Sequence, residues 1–399
     1  LLDINNLYLK DYNILFKGKA KIDYFDEELK YFGDIYYQDL IVSGNIDITK
    51  DRVNFFFKSE FFKNLHFLKK YLDLPEVANS WMYDNVTGDF KLNWFYGEFD
   101  LNKNEIIEKS LQGDAVIENA KIRFENSLEE INTSKVNVNF KNSTLHFDLV
   151  DAIYKEKELK NSFVTIKDIA NENSGLVLVN IEAKTSLDKD ILGILEAYGI
   201  VVPVLQKNGE TQAKLLLSFP YAEDKPMSYN GVFIAEKSNI SISGFDFETN
   251  GAKVILENDL LYINDASFIY QDMVDAKANV KLDLNSLKIE GTSQINKILV
   301  KDSKNSKILN ITNANSDIFM DFSKNVNIEL KDLKTVIKYD KFLTINVNDI
   351  SKIYNYSDIL KQNSINSGNI SLKIINKDNI DFNGFFSGFT IPIKKDNKE

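Results

Sequence analysis

The sequence predicts a mainly β protein: an elongated, curved antiparallel β-sheet forming an apolar groove, with a few short capping helices. Three observations predict it. Apolar and polar side chains alternate with period two along much of the 399 residues. Turn-forming dipeptides punctuate that alternation. Only four short stretches carry apolar residues at helical spacing. Successive side chains of a strand point to opposite faces, so alternation marks strands with one oily and one wet face.

The strands follow in order. Val53-Asn54-Phe55-Phe56-Phe57 is aromatic-rich, and Phe90-Lys91-Leu92-Asn93-Trp94 reads as three large apolar groups on one face. Val136 to Lys141, Val280 to Leu284, Val326 to Leu330 and Ile370 to Ile374 repeat the arrangement, and Phe382 to Phe389 is again rich in Phe. Asn208-Gly209, Asn230-Gly231, Asn250-Gly251 and Asn383-Gly384 read as hairpin turns, because both residue types tolerate positive φ. Ser43-Gly44, Ser174-Gly175, Ser243-Gly244 and Ser367-Gly368 read as breaks or bulges. Pro75, Pro220 and Pro392 mark element ends. These signals give roughly 20 strands.

The helical stretches are Glu60 to Leu72, then a short helix opened by Pro75 and bearing Val77, Trp81 and Met82. Leu187 to Tyr198 is the third and Asp349 to Lys361 the fourth. They read as end caps on sheet segments or as ordinary core-packing helices. Val138 to Ile166 also aligns without a gap onto Val254 to Leu282, with Phe140 on Leu256 and Leu145 on Leu261. The alignment predicts one continuous modular region over 1–399, with repeat units near 111–230 and 231–345. With Leu at position 1, a longer parent chain is expected, its anchor outside this segment.

Composition excludes several function classes. Net charge is −11, which offers no basic surface for nucleic acid. The chain has no cysteine, so disulfides and Cys-ligated zinc are excluded, and an oxidising compartment suits it. His66 and His146 are its two histidines, and neither has a partner at metal-ligand spacing. No Gly-x-Ser-x-Gly elbow or phosphate-cradling loop occurs. Glu27-Glu28 and Glu129-Glu130 read as solvated charges. Asp246, Glu248, Asn250, Gly251 and Glu257 have the spacing of a calcium loop, yet their flanks read as strands rather than helices, so an Asn-Gly hairpin is expected. The expectation is therefore a protein without catalytic residues, metal or cofactor.

What remains is collective: 28 Phe and 18 Tyr against 2 Trp. A long one-sided sheet must cover its oily face with a second sheet, with helices or with a guest. Candidate lining positions are Phe55, Phe57, Phe90, Leu92 and Trp94, together with Val136, Val138, Phe140, Leu145 and Phe147. Each could equally be a sheet-core residue.

Gly113 to Leu284 carries a resemblance. Paired strands precede Leu145-His146-Phe147-Asp148, and a helix near Ile191 to Tyr198 leads through Gly209 to Leu215-Leu216-Leu217-Ser218-Phe219-Pro220. Tyr71-Leu72-Asp73-Leu74-Pro75 with Trp81 adds to it. The sequence resembles the AsmA-like superfamily of Gram-negative envelope proteins, closest to the YhdP branch. The resemblance implies a long curved sheet, periplasmic and tethered to the inner membrane, whose oily channel carries phospholipid towards the outer membrane. Phospholipid acyl chains would be its partners. The alternative is a structural or adhesive β-sandwich array of the cell envelope; an envelope polysaccharide hydrolase would need an acidic cleft.

Overall fold

The computed structural model describes residues 1–70, 74–169, 171, 173–222, 224–242, 244–301, 307–376 and 379–387. Among them are 29 strands, three short α-helices and four 3-10 turns. The protein is mainly β, and every strand pairing described is antiparallel. Strands outnumber the sequence expectation because several long ones are broken into shorter pieces. The chain forms two compact units, one of residues 1–184 with 214–229 and one of 185–213 with 230–399.

In the first unit the strands form a meander, with Val86–Asp100 pairing with Gln112–Ile122 past the two-residue strand Glu105–Ile106, and Thr144–Val150 pairing with Phe163–Lys167 past a short hairpin. Side chains directly opposite each other across an antiparallel pair share a face. One row therefore runs from Ile4 through Gly18, Gly33 and Gly44 to Phe57 and Phe95. It continues through Gly113, Phe140, Leu145 and Ile166 to Val177. No member is charged. The row beside it on the opposite face runs Lys19, Phe32, Asn45, Phe56, Tyr96, Gln112 and Lys141.

The second unit repeats the design. Gly231, Leu256, Leu261, Leu282 and Ile289 lie side by side, followed by Met320, Ile328, Ile337, Ile345, Leu372 and Phe382. The internal alignment also holds at the level of register. Phe140 faces Leu145 as Leu256 faces Leu261, and Phe147 faces Val164 as Ile263 faces Val280. The turns between them start at Asn142 and Asn258, with φ of 51° and 50°.

This sheet curls around its apolar face. Phe245 and Tyr339 project from that face on strands six steps apart. Flat strands about 4.8 Å apart would separate them by about 29 Å, yet their rings meet edge to face at 5.4 Å.

Part of the bending has a sequence signature. Ile117-Glu118-Asn119-Ala120, Leu149-Val150-Asp151-Ala152, Ile263-Asn264-Asp265-Ala266 and Ile311-Thr312-Asn313-Ala314 share one pattern: Ile or Leu, any residue, Asn or Asp, then Ala. The third residue has φ between 51° and 53° in every case. Asn and Asp enter this left-handed region more readily than other non-glycine residues. The kink turns residues three apart to the same face, which in a regular strand they would not share. Ile117 and Ala120 are accordingly both buried, as are Leu149 with Ala152 and Ile311 with Ala314. Such interruptions bend a strand and raise its twist.

Several expectations need correction. Asn230-Gly231 and Asn383-Gly384 lie inside the strands Ser228–Ala235 and Asn379–Ser387 rather than at turns. Their glycines sit on the apolar face, opposite Leu256 and Ile370. Asn250-Gly251 interrupts one long strand between Phe245–Thr249 and Ala252–Glu257 and is not a hairpin. Of the first helical stretch only a 3-10 turn, His66–Lys70, forms, and residues 71–73 lie outside the described residues. The fourth breaks into two 3-10 turns and α3, Asp358–Gln362. The other two form as α1, Glu76–Tyr83, and α2, Lys189–Ala197, the latter capped by the Asp188 carboxylate accepting from two backbone N–H groups. Pro392 lies outside the described residues.

Candidate functional site: an uncovered apolar face

Among the described pairings of the first unit, Lys157, at the turn opposite Tyr154, is the one Asp, Glu, Lys, Arg or His side chain placed on the apolar face. The charges stand on the other face and on the rims. There Lys63 sits beside Asp89, and Lys214 sits 2.6 Å from Glu182. Each lysine holds its neighbouring carboxyl below the ordinary range.

One margin of each face is covered. In the first unit α1 buries Ala78, Trp81 and Tyr83, and Trp81 shares an apolar cavity with Ile122, Ile131, Leu149, Val164 and Val179. In the second, Ile350, Ile353 and Leu360 of the 3-10 turns and α3 cluster with Val347. Beyond these margins the faces lie open: Phe55, Phe57, Phe95, Phe140 and Leu145 are half-buried, as are Ile289, Met320, Ile328, Ile337 and Ile345.

The open part of the first unit is paved with rings. Phe55 stacks on Phe57 at 5.7 Å and on Phe95 at 6.0 Å, and Phe95 stacks on Phe140 at 6.3 Å. Glycines make room for them. A Cβ on Gly97 would collide with the Phe55 ring, and one on Gly113 would lie 2.7 Å from the Phe95 ring. Without side chains there, the rings lie along the sheet rather than standing off it. Tyr31 does the same over Gly33. Its hydroxyl lies 2.9 Å from the carbonyl oxygens of Lys17 and Asp34, and burial pushes the phenol pKa up. The one polar group of this ring is thus satisfied by backbone, and the face stays oily.

The residues singled out from sequence divide three ways. Phe55, Phe57, Leu92, Phe140, Leu145 and Phe147 lie half-buried on the apolar face. Phe90, Val136 and Val138 share that face but are buried, Val136 fully, at 0% exposure. Trp94 is on the opposite face, in the row of Asp114, Asn139 and His146. The pairing slips by one residue between Leu92 and Trp94, so Asn93 is extra and Phe95, not Trp94, follows Leu92 on the apolar side. Phe95 was missed for that reason. Its signal is the Trp94-Phe95-Tyr96 run, in which alternation breaks down.

Neither histidine faces the apolar rows in a way that suggests chemistry. His146 Nδ1 is 2.9 Å from the Thr165 hydroxyl on the polar face, and His66 lies 3.7 Å from Asp84. Among the described residues, no group of three or more His, Cys, Asp or Glu is placed to hold a metal, and no helix is long and apolar enough to cross a membrane. In each unit the arrangement leaves apolar side chains half-exposed in rows across the sheet.

A model of the family described as YhdP protein matches residues 61–336, about two thirds of the chain. No curated protein and no solved structure matches it. The matched segment contains Phe95 and Phe140 of the ring-paved floor, the helix α1 and the repeated register, while Phe55 and Phe57 precede it. The chain belongs to the YhdP protein family, the AsmA-like branch of envelope proteins that its sequence resembles.

Proposed function

We propose that this chain carries phospholipid across the periplasm between inner and outer membranes, with no chemical step. Acyl chains lie against the apolar rows while headgroups stay in water. A segment or partner outside residues 1–399 tethers the chain to the inner membrane. One observation carries the reading: row after row of uncharged, apolar side chains, half-exposed where the helices do not reach.

The energetics favour such a use. Each CH₂ exposed to water costs about 0.8 kcal/mol, so two bare acyl chains would face a barrier of roughly 20 kcal/mol or more. A surface of Phe, Ile and Leu removes most of that cost without acid, base or metal. Family membership agrees with an envelope role.

Native mass spectrometry of the purified chain tests the reading. The expected result is a mass increment of bound phospholipid, lost when the lipid is stripped with detergent. A lipid-free chain that takes up no phospholipid from vesicles would instead indicate a structural or adhesive β array.

A further inference from the structure

The end of one hairpin reaches across the apolar face of the second unit. Ala252–Glu257 is joined to Leu260–Tyr270 by five consecutive pairs, Lys253 with Asn264 through Glu257 with Leu260. The continuation of the same strand, Phe245–Thr249, is joined to Leu260–Tyr270 through one described pair, Glu248 with Ile269. It pairs fully instead with Ser238–Ile242. Phe247 still rests on Phe268 and Tyr270, at 6.2 Å and 5.5 Å, so these two strands form a hairpin whose end runs on past Tyr270, the last residue of the neighbouring strand.

Its base is tied to the neighbouring strand through Ser267. Asn250 N–H donates to the Ser267 hydroxyl at 2.6 Å, Gly251 N–H donates to the Thr249 hydroxyl at 3.1 Å, and Gly251 has φ of 129°. Its outer edge is held by Val204–Gln206 and by the Lys207–Asp246 ion pair at 2.7 Å. At its tip, beside Gly244 with φ of 86°, Phe245 reaches across to Tyr339 at the margin of the hairpin Thr335–Tyr339 and Leu343–Val347.

The two rings project from the apolar face and close over it. Between their strands the floor is apolar: Leu282, Ile289, Met320 and Ile328. A lipid sliding along this floor keeps its headgroup at the mouth, where the ring pair stands in its path. We infer that Phe245 and Tyr339 form a gate: closed, they confine hydrocarbon beneath them; they must part for each headgroup that passes. One edge-to-face ring contact is a weak bond that thermal motion opens. The inference rests on the lipid-carrying reading and adds a control point to it.

The chain has no cysteine, so a pair can be placed cleanly. F245C/Y339C is joined by a short bismaleimide with a cleavable centre. Transfer of pyrene-labelled phosphatidylethanolamine between vesicles is then followed for the full chain. The linked protein is expected to transfer at least about ten-fold more slowly than the same protein unlinked, and cleaving the linker restores the rate. F245A/Y339A, which removes the rings, is expected to transfer faster than the wild type, and a slower rate overturns the gate. Equal rates for linked and unlinked protein overturn the gate while leaving lipid carriage standing. A wild-type chain that transfers no phospholipid removes the carrier reading and the gate together.

Discussion

Phe140→Asp empties the groove of the first unit while leaving the protein folded. Phe140 is half-buried, stacked on Phe95 and paired with Leu145 and Gly113. Without lipid, a carboxylate there reaches water, and the fold loses about 1–2 kcal/mol of packing. With lipid, the same carboxylate must be desolvated against hydrocarbon. That costs at least about 3 kcal/mol, a loss of affinity on the order of a hundredfold. Asn132→Asp supplies the control: Asn132 is exposed on the opposite face of the same strand, opposite Lys121. It adds the same charge and should leave lipid occupancy unchanged. Quantifying co-purified phospholipid for the two variants checks the contrast. Equal retention would mean that Phe140 does not face the cargo.

Val136→Asp acts on stability instead. Val136 is fully buried between Ile117 and Leu149, and Leu149 lines one cavity with Trp81 of α1. The substitution forfeits about 1.5–3 kcal/mol of apolar burial and places an unpaired carboxyl where water does not reach. The total, roughly 4 kcal/mol or more, is a large share of the 5–15 kcal/mol that holds a typical domain together. The sign with pH follows from burial, which raises the folded-state pKa of the new Asp. The ionisation part of the penalty is full at neutral pH. It shrinks as pH falls towards the unfolded value of about 3.9, where both states take up the proton. Denaturant unfolding at pH 7 and pH 4 should show a smaller deficit at the lower pH. A deficit independent of pH would mean the carboxyl finds water.

These two positions, four residues apart on one strand, show what the sequence could and could not tell. Val136-Asn137-Val138-Asn139-Phe140 declares a strand and which residues share a face, because alternation is a local property. That Val136 is sealed and Phe140 open is a tertiary property, set by what packs over each position, such as α1, whose Trp81 lines one cavity with Leu149 beside Val136. Helical spacing located α1 and α2 but overstated the stretch before Pro75, where aromatic residues serve the sheet instead: Phe62 pairs with Phe90 and stacks on it at 5.8 Å.

Turn chemistry misled in an instructive way. Asn-Gly is a good hairpin turn in isolation, yet Gly231 and Gly384 sit mid-strand on the apolar face. The hairpins turn instead on residues such as Asn142-Ser143 and Lys155-Glu156, all with positive φ. The Trp94 assignment failed because one extra residue, Asn93, reverses the parity of everything after it. The Ile/Leu-x-Asn/Asp-Ala kinks were present in the sequence throughout. They carry meaning only once an Asp or Asn in the middle of an apolar strand is asked why it is there.

Leu92 and Trp94 give the most direct test, since they are two residues apart and lie on opposite faces. A photoreactive phenylalanine at position 92, in cells or with lipid vesicles, should form covalent adducts with phospholipid acyl chains, and one at position 94 should form none. Adducts at both positions in equal yield, or at 94 alone, would contradict a lipid path confined to the apolar face.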